Sequence, residues 1–371
     1  MPAFSVRTPL LTLICISVAL CATGCSSSST PSNAPEDTKT SKTPAVSPGE
    51  SARPFVELPA TIIAENLDTP AGLAIQPVTG DIFVATVQGI VRLDADDNFA
   101  AHPEIIGFPK DMYGAGPTYN FGPLGLGFLD ESTLVVGGGG ASDGEDVIRF
   151  FTVGNAPLPE PMNADSALHS VGPIAEGEQS HRGEGNYFGL HIHDGTVFVT
   201  SHGDDTQGWV SRIKVIDQKP EGLEPFLPSK TFTDTDGPSG IAFLPDGSML
   251  VSQTGELHER PDSVLAVVDL STGEFVRKIE TGLFDVTKIV VHPSSQKLFA
   301  LDFAWATPGE GGLFTLDIDS DEKAAVVTKH AALVHPAAIA ITDSGELIVA
   351  CVGHQDENPK PQGTIHRISL E

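Results

Sequence analysis

Two short stretches of the sequence gather side chains that can bind ions or move protons. Residues 181–187 read His-Arg-Gly-Glu-Gly-Asn-Tyr, and residues 201–205 read Ser-His-Gly-Asp-Asp. An imidazole can ligate a metal or exchange a proton near neutral pH, and a guanidinium can hold a carboxylate or phosphate through two parallel hydrogen bonds. The catalytic candidates are therefore His181, Arg182, His202 and Asp204. The alternative is that Arg182 only pairs with Glu184 or Asp204 and holds its loop in place.

Histidines farther along the chain suggest a metal site. The candidate ligands are His202, His258 and His354, which would hold a transition metal such as Zn2+. Asp204 or Glu256 would then serve as an oxygen ligand or as a hydrogen-bond partner of an imidazole. The spacing alone does not select a metal, because no His-x-His or His-x3-His pair links these positions. The alternative is a set of solvated polar loop residues.

The elements that must position these residues recur along the chain. Six similar apolar segments, GLAIQP, GLGFLD, GLHIHD, GIAFLP, KIVVHP and AIAITD, begin at Gly72, Gly125, Gly189, Gly240, Lys288 and Ala338. Further short apolar segments follow each of them, and the unit repeats about every fifty residues. Four short strands per unit at this spacing predict an all-β fold, a six-bladed β-propeller. An irregular β-sandwich is the alternative.

The fourth repeat shows the predicted blade in detail. Residues 241–243, 249–252, 264–270 and 275–279 are its predicted strands, and Pro245-Asp246-Gly247 supplies the first tight turn. In such a blade the loops before the first strand and after the second strand open on one face, around the central channel. These are the long loops in this sequence, as functional loops often are. We call this side the loop-rich face and expect the candidate residues to lie there.

The two ends of the repeated region complement each other. Residues 60–67 (ATIIAENL) read as a fourth strand that lacks the three strands before it, and the last repeat reads as three strands that lack a fourth. We predict that this N-terminal strand closes the last blade. The closure would remove open sheet edges that otherwise promote aggregation.

The N-terminal part of the sequence predicts export and membrane attachment. Arg7 precedes an apolar run, residues 10–20, that is too short to span a bilayer comfortably. Ala22-Thr23-Gly24-Cys25 resembles a bacterial lipobox, in which the cysteine thiol receives the diacylglycerol. The predicted parts are a lipoprotein signal peptide at 1–24, a disordered Ser/Thr/Pro-rich tether at 25–54 and the propeller at 55–371, with Cys25 lipidated. An ordinary secretory signal is the alternative.

Charge and cysteine content limit the partners. The formal net charge is −28 over 371 residues, and such a surface repels the phosphates of nucleic acids. Cys351 is the only cysteine after Cys25, so no disulfide can form within the predicted propeller. We predict a monomer in the cell envelope that binds no nucleic acid and reaches the membrane through its lipid. It would be an outer-membrane lipoprotein if the source is Gram-negative.

The blade pattern P-x-G-[LI]-A-[FI]-x-P-x-x-G-x-[LI]-[FL]-V resembles NHL-type six-bladed propellers. The third strands strengthen the likeness, since Val91-Arg92-Leu93 and His366-Arg367-Ile368 are similar to the Arg-Ile strand of that family. The resemblance extends from about Leu58 to the last residue. Because propellers host many activities, it implies a fold rather than a function. The peptide-amidating lyase is an NHL-like propeller with a histidine-held zinc, so the resemblance also admits an enzyme.

The neighbouring gluconolactonase and regucalcin family is similar in architecture. Its members hold a divalent cation with acidic and Asn side chains placed just before the Gly of the first strand, and Ca2+ suits such oxygen ligands. The matching positions in this sequence are Ala71, Phe188 and Ser239, two of which have no side-chain oxygen. This difference favours a binding module over a lactonase.

Polar and aromatic residues near these positions are the candidate ligand-binding set. Its members are Asn120, Arg182, Asn186, Tyr187, Asp236 and Trp305. We predict that the loop-rich face binds a small molecule, a glycan or a protein. The alternative is a metal-dependent hydrolase or lyase, gluconolactonase-like or amidating-lyase-like, that uses the His and Asp residues of this face.

Overall fold

The computed structural model describes residues 53–114, 116–204, 206–258, 260–319, 322–354 and 360–370. The predicted signal peptide, Cys25 and all but the end of the predicted tether lie outside these ranges. The described residues form an almost purely β structure, with one short 3-10 helix, Ala164–Ser166, and one short α-helix, Ser229–Thr233. Neither helix is long and apolar enough to cross a bilayer.

Six antiparallel sheets form the blades of a propeller, and we number them from one to six by their first strands. Blade one contains Gly72–Ile75, Ile82–Thr86, Gly89–Asp94 and Ala100–Ile106, with Met162–Asn163 added at its outer edge. Blade two contains Leu126–Phe128, Thr133–Gly137, Ile148–Thr152 and His169–Val171. Blade three contains Leu190–His193, Thr196–Thr200, Trp209–Ile216 and Glu224–Pro228, with Lys219–Pro220 pairing beside it.

The second half of the ring is more regular. Blade four contains Pro238–Phe243, Ser248–Gln253, Val264–Asp269 and Glu274–Glu280. Blade five contains Val286–Val291, Leu298–Asp302, Gly312–Asp317 and Val326–Ala332. Blade six contains Pro336–Ile341, Leu347–Cys351, Gly363–Ile368 and the N-terminal strand Ala60–Leu67. A separate hairpin, Asp111–Tyr113 with Tyr119–Phe121, lies between blades one and two in the sequence.

The N-terminal strand closes the ring. Ala60–Leu67 pairs antiparallel with Gly363–Ile368, with Ala60 opposite Ile368. Just before it, the chain runs beside the outer strand of blade five, where Val56 N–H donates to the Lys329 carbonyl at 2.9 Å. The first strands of all six blades contact their neighbours in turn around the channel, and blade six contacts blade one. The predicted six-bladed propeller and its closing strand are confirmed.

The first strand of blade four starts earlier than its apolar run suggested. It begins at Pro238 rather than at Ile241, and its pairing is irregular between these two residues. Ser252 Oγ accepts a hydrogen bond from Gly240 N–H at 2.7 Å, so a side chain satisfies a backbone group where the ladder is irregular. Period-two hydrophobicity cannot reveal such a segment, because its buried residues include a serine and a glycine, and the serine is satisfied by hydrogen bonds.

The hydrophobic core is divided among the spaces between blades. Six clusters of buried side chains each join two adjacent blades, as Phe83 of blade one and Leu134 of blade two do. A seventh cluster lies at the end of the channel on the loop-rich face, and it contains Tyr119, Phe303 and Trp305. No blade can bury both of its faces alone, so the stability of each blade depends on its neighbours.

The third-strand arginine of blade one has a structural role. Arg92 is fully buried, and its guanidinium lies 2.7 Å from Asp81 and 3.4 Å from Glu104. It also donates to the carbonyls of Gly154 and Ala156, each at 2.8 Å, in the segment that follows blade two's third strand. This buried charge cluster therefore ties blade one to blade two.

Candidate functional site

The channel ends on the loop-rich face in a concavity with an empty volume of about 650 Å3, which we call the mouth pocket. Every blade except blade one supplies residues to its wall, and the hairpin between blades one and two completes it. The lining residues are Tyr113, Phe121, Leu124, Asn186, Phe188, His202, Thr254, Leu257, Asp285, Thr287, Phe303, Trp305 and Ala337. They come from the loops and strand ends that were expected to face this side.

Trp305 of blade five holds the hairpin in place. The indole N–H of Trp305 donates to the Pro117 carbonyl at 2.6 Å. Gly114 has a φ of +128°, and a Cβ at this position would lie 2.4 Å from the Trp305 ring and 2.5 Å from the Pro117 carbonyl oxygen. Only glycine permits both this backbone conformation and so close an approach. The hairpin can therefore place Tyr113 and Phe121 at the wall of the mouth pocket.

Aromatic rings form one continuous part of the wall. Phe303 stacks on Trp305 with ring centroids 4.7 Å apart. Tyr113 meets Trp305 edge-on at 5.9 Å and His202 edge-on at 6.5 Å. Beyond His202 lies Phe188, whose ring is 6.3 Å away. Such stacked and edge-to-face pairs are favourable ring geometries, and they make this part of the wall aromatic and apolar.

Asp302 organises the loops next to this wall. Its carboxylate accepts hydrogen bonds from the backbone N–H groups of Phe284, Asp285 and Ala304, at 3.0, 2.8 and 3.1 Å. Both the loop before blade five's first strand and the loop after its second strand are thereby held at one point. Asp302 lies in the predicted functional loop region, but its hydrogen bonds give it a structural role.

Asp285 is the acidic residue of the mouth pocket. Its side chain is 1% exposed, and Oδ2 accepts a hydrogen bond from the backbone N–H of Trp305. Oδ1 has no hydrogen-bond partner among the described residues. Burial, together with the negative charges of Asp302 and Asp262, raises the pKa of Asp285 to about 7. Asp285 therefore lines the pocket as a buried carboxyl group, one oxygen of which has no partner among the described residues.

His202 contributes a neutral imidazole. Its Nε2 lies 2.6 Å from the Pro238 carbonyl, and because a carbonyl only accepts, Nε2 carries the proton. Burial lowers the pKa of His202, although the hydrogen bond to Pro238 acts in the opposite direction. At neutral pH this residue is therefore an Nε2–H tautomer with Nδ1 as an acceptor.

Lys288 lies where the channel continues below the mouth pocket. The other five blades have Gly or Ala at the equivalent position of the first strand. The Lys288 amine donates to the Phe188 carbonyl at 2.6 Å and lies 4.4 Å from the centroid of the Phe188 ring. Burial lowers the pKa of Lys288 to about 7. Lys288 and His191 are the titratable residues among those described on the wall of this lower cavity.

Two of the predicted ligand-binding residues, Asn186 and Trp305, line the mouth pocket, and so does His202, a catalytic and metal candidate. The other ligand-binding candidates lie elsewhere. Tyr187 is fully buried between blades two and three, and Asn120 is exposed on the hairpin. Asp236 forms an ion pair of 2.5 Å with Lys230. The sequence thus indicated the face on which this pocket lies, while side-chain direction within each loop was not readable from it.

The stretch at 181–187 packs as a structural loop. Asp204 is buried and accepts hydrogen bonds from the backbone N–H groups of His181 and Thr206. Burial alone would raise the pKa of Asp204, but these hydrogen bonds outweigh it and lower the pKa. Glu184 is fully buried and accepts from Ser201 Oγ at 2.6 Å, and burial raises its pKa to about 7.

Arg182 does not form the contacts of either sequence-based alternative. The residue is exposed and is not part of the mouth pocket wall. No ion pair joins it to Glu184 or Asp204, and its charge acts instead on Asp143. The catalytic roles proposed for His181, Arg182, His202 and Asp204 therefore stay predictions.

The candidate metal ligands face different partners. His258 lies 3.4 Å from Asp262, and the ring of His354 lies 6.2 Å from that of His335, while His202 binds a carbonyl. Across the described ranges, no group of three or more His, Cys, Asp or Glu side chains could hold one metal ion. The described residues therefore gather no histidine cluster like the zinc site of the lyase. The positions that match the calcium ligands of the lactonase family, Ala71, Phe188 and Ser239, offer only one side-chain oxygen.

Sequence reasoning missed several residues of the pocket, and some of them carried a signal. Asp285 is an acidic residue within the apolar segment Leu283–Val286, directly before a first strand. Lys288 stands where every other repeat has a small residue. Phe303 and Tyr113 carried no such signal, because an aromatic residue in a loop is equally typical of a local hydrophobic contact.

Comparisons with known proteins identify relatives in fold but do not identify an activity. No protein-family model matches the chain, and no curated protein sequence matches it. Among solved structures it resembles a putative oxidoreductase (glucose dehydrogenase) from Thermus thermophilus, at 13% identity and a TM-score of 0.53, over 84% of this chain and 100% of the other.

A putative gluconolactonase is similar at 13% identity and a TM-score of 0.52, over 86% of this chain and 96% of the other. Regucalcin, a calcium-binding protein from Agrobacterium tumefaciens, is similar at 15% identity and a TM-score of 0.51, over 85% and 96%. These likenesses confirm the expected structural neighbourhood. At such identities they show that this chain is a six-bladed β-propeller of the same architecture as the gluconolactonase and regucalcin structures.

Proposed function

We propose that this protein binds a small organic molecule of low polarity in the mouth pocket. The observation that carries the proposal is the convergence of five blades and the hairpin on one mostly apolar concavity. Binding sites for small molecules have a mostly apolar and aromatic lining and a few polar groups that fix orientation. Here those polar groups are Asn186, His202, Thr254, Asp285 and Thr287.

The character of the lining favours this ligand class over the glycan and protein ligands that the sequence also allowed. A sugar carries many hydroxyl groups, and each one buried without a partner costs about 1–3 kcal/mol. The wall offers more ring and aliphatic surface than hydrogen-bonding groups. A protein ligand would need a broad surface rather than an enclosed one. We therefore do not extend to this protein the sugar chemistry named for the similar dehydrogenase and lactonase.

Membrane attachment is a separate part of the proposal. The lipobox-like Ala22-Thr23-Gly24-Cys25 and the apolar run before it support a lipid anchor on Cys25, with the Ser/Thr/Pro-rich segment as the spacer. Such an anchor would hold the propeller at the cell envelope while its loop-rich face samples small molecules. The metal-dependent alternative has less support, because no group of three or more His, Cys, Asp or Glu side chains among the described residues could hold one metal ion.

Tryptophan fluorescence can test the binding proposal, because the chain has two tryptophans and one of them lines the pocket. Trp209→Phe leaves Trp305 as the only indole, and Trp305→Phe leaves Trp209, which lies outside the pocket. We expect low-polarity ring compounds from a fragment set to change the emission of the first variant and not that of the second. At a concentration 100 times Kd, a bound compound should also stabilise the fold by about 2.7 kcal/mol.

Two neighbouring hairpin residues supply a matched control. Tyr113 contacts Trp305 and His202, whereas Met112 is 62% exposed on the other face of the same strand. Tyr113→Ala should weaken binding about tenfold, while Met112→Ala should leave it unchanged. If no compound alters Trp305 emission or thermal stability, or if both hairpin variants behave alike, the proposal is wrong.

A further inference from the structure

One carboxyl group of the mouth pocket has no cationic partner. Oδ1 of Asp285 accepts no hydrogen bond from any described residue, although the side chain is 1% exposed. No ion pair links Asp285 to a described Lys, Arg or His. The nearest charges that act on it, Asp302 and Asp262, are both negative. A buried carboxylate without a counter-charge is costly, so a ligand that brought a positive charge would be favoured here.

The wall beside Asp285 is also suited to a cation. Trp305 lies next to Asp285, because its backbone N–H donates a hydrogen bond to Asp285 Oδ2. Phe303 stacks on Trp305 at 4.7 Å, and Tyr113 meets it at 5.9 Å. The π face of an aromatic ring attracts cations, and cages of such rings recognise quaternary ammonium groups. His335 stacks on Phe303 at 4.6 Å, so Phe303 supports Trp305 from behind, and a group that touches Trp305, Tyr113 and Asp285 would gain both interactions.

The positive side chains nearby leave this position open. Lys288 lies over the ring of Phe188 and donates to the Phe188 carbonyl, so it occupies that side of the site. Lys230 is paired with Asp236. A ligand cation would therefore be placed on the side formed by Trp305 and Tyr113. The net charge of −28 would further raise the local concentration of cations.

We propose that the mouth pocket recognises an organic ammonium ion, a quaternary or protonated amine on an otherwise apolar molecule, with Asp285 as its counter-charge and Trp305 and Tyr113 as its aromatic wall. This inference rests on the proposed binding function and adds the charge of the ligand. Inorganic cations are not suited to the site, because a single carboxyl oxygen cannot replace their hydration shell.

The affinity should depend on pH. Below about 7 Asp285 is mostly neutral, so a permanently charged ligand loses its partner, and binding should tighten as pH rises from 6 to 8. Lys288 also loses its charge near pH 7, which acts in the same direction, while the neutral His202 contributes little. The variant Asp285→Asn separates the two, because any pH dependence that it retains belongs to Lys288.

The test compares quaternary ammonium ions with neutral molecules of the same shape. Choline and 3,3-dimethylbutan-1-ol form one pair, and benzyltrimethylammonium and neopentylbenzene form a larger one. Isothermal titration of the purified protein at pH 8 should show each ammonium ion binding at least tenfold more tightly than its carbon analogue. Asp285→Asn should reduce that preference several-fold, leaving only the contribution of the aromatic rings, and should leave the affinity for the neutral analogue unchanged.

Asp262→Asn is the matched control, since Asp262 is a nearby negative charge outside the pocket wall. It should alter the ammonium affinity less than threefold, and thermal melting should show that both variants fold. Equal affinity for charged and neutral members of a pair would overturn the ammonium inference while leaving the binding function intact. A preference that is undiminished in Asp285→Asn would also overturn it. If neither these probes nor any fragment bound, the proposed function itself would fail.

Discussion

Replacing Asp285 by Asn should stabilise the folded protein at neutral pH and above. The pKa of Asp285 is about 7 in the folded state and about 3.9 in an unfolded chain. Unfolding therefore releases a proton between these pH values, and the native protein loses stability as pH rises from about 4 to about 7, after which the loss is constant. At about 1.4 kcal/mol for each pKa unit, the full loss is about 4 kcal/mol.

Asparagine removes this loss but introduces an amide whose N–H groups have no partner at the position of Oδ1. That burial costs about 1–3 kcal/mol, while the Trp305 N–H can still donate to the amide oxygen. The expected net gain at pH 8 is therefore about 1–3 kcal/mol. At pH 4 the linkage contribution is almost absent, and the variant should be as stable as the natural protein or less stable.

Urea denaturation at pH 4, 6 and 8 measures the effect as a free energy of unfolding. Asp130→Asn provides the opposite case. Burial raises the pKa of Asp130, but hydrogen bonds from Ser132 and Thr133 outweigh it and lower the pKa. Its contribution is present above pH 4 and disappears as pH falls, so Asp130→Asn should lose about 1–3 kcal/mol at pH 8. If Asp285→Asn has a lower free energy of unfolding than the natural protein at pH 8, or if the difference between them does not change with pH, the reasoning is refuted.

Three further predictions concern the anchor, the ring and the buried charges. Cys25→Ala should move the protein from the membrane fraction to the soluble fraction, because the lipid is attached at that residue; unchanged sedimentation with membranes would contradict this. Deletion of residues 60–67 should lower the melting temperature far more than deletion of 26–54, since a buried aliphatic side chain such as Leu67 alone stabilises by about 1.5–3 kcal/mol; equal melting temperatures would refute it. Arg92→Met should cost about 3–5 kcal/mol in urea denaturation, because Asp81 and Glu104 would be left buried without their cation; a loss below 1 kcal/mol would show that the cluster is not needed.

The fold could be predicted from the sequence because the same strand pattern repeats six times. Short apolar segments and their turns recur in the same order, so an error at one strand does not change the number of blades. The closing strand was also predictable, since Ala60–Leu67 and Gly363–Ile368 complete the same incomplete sheet. Periodicity failed where side-chain hydrogen bonds replace regular pairing, as at Ser239 and Gly240 in blade four, and it did not reveal the short hairpin between blades one and two.

The candidate site was only partly readable, because its position follows from the fold whereas its chemistry follows from side-chain direction. Polar residues were sought where they are dense, at 181–187, yet these residues mainly satisfy backbone groups and one another. Asp285 stands alone among apolar residues, and its importance comes from burial and from the absence of a counter-charge. Neither property is visible before the neighbouring blades are in place.

Blade six joins segments that are made at very different times. Thr61 and Arg367 are opposite each other across its outer strand pair, although 306 positions separate them in the chain. At about 5–20 residues per second, a ribosome completes the first of these strands roughly 15–60 s before the second. Throughout that interval Ala60–Leu67 is an unpaired strand that a second chain could engage. The ring can therefore close only after its last strand has been synthesised, and the yield of folded protein depends on how well the first strand is kept apart from other nascent chains.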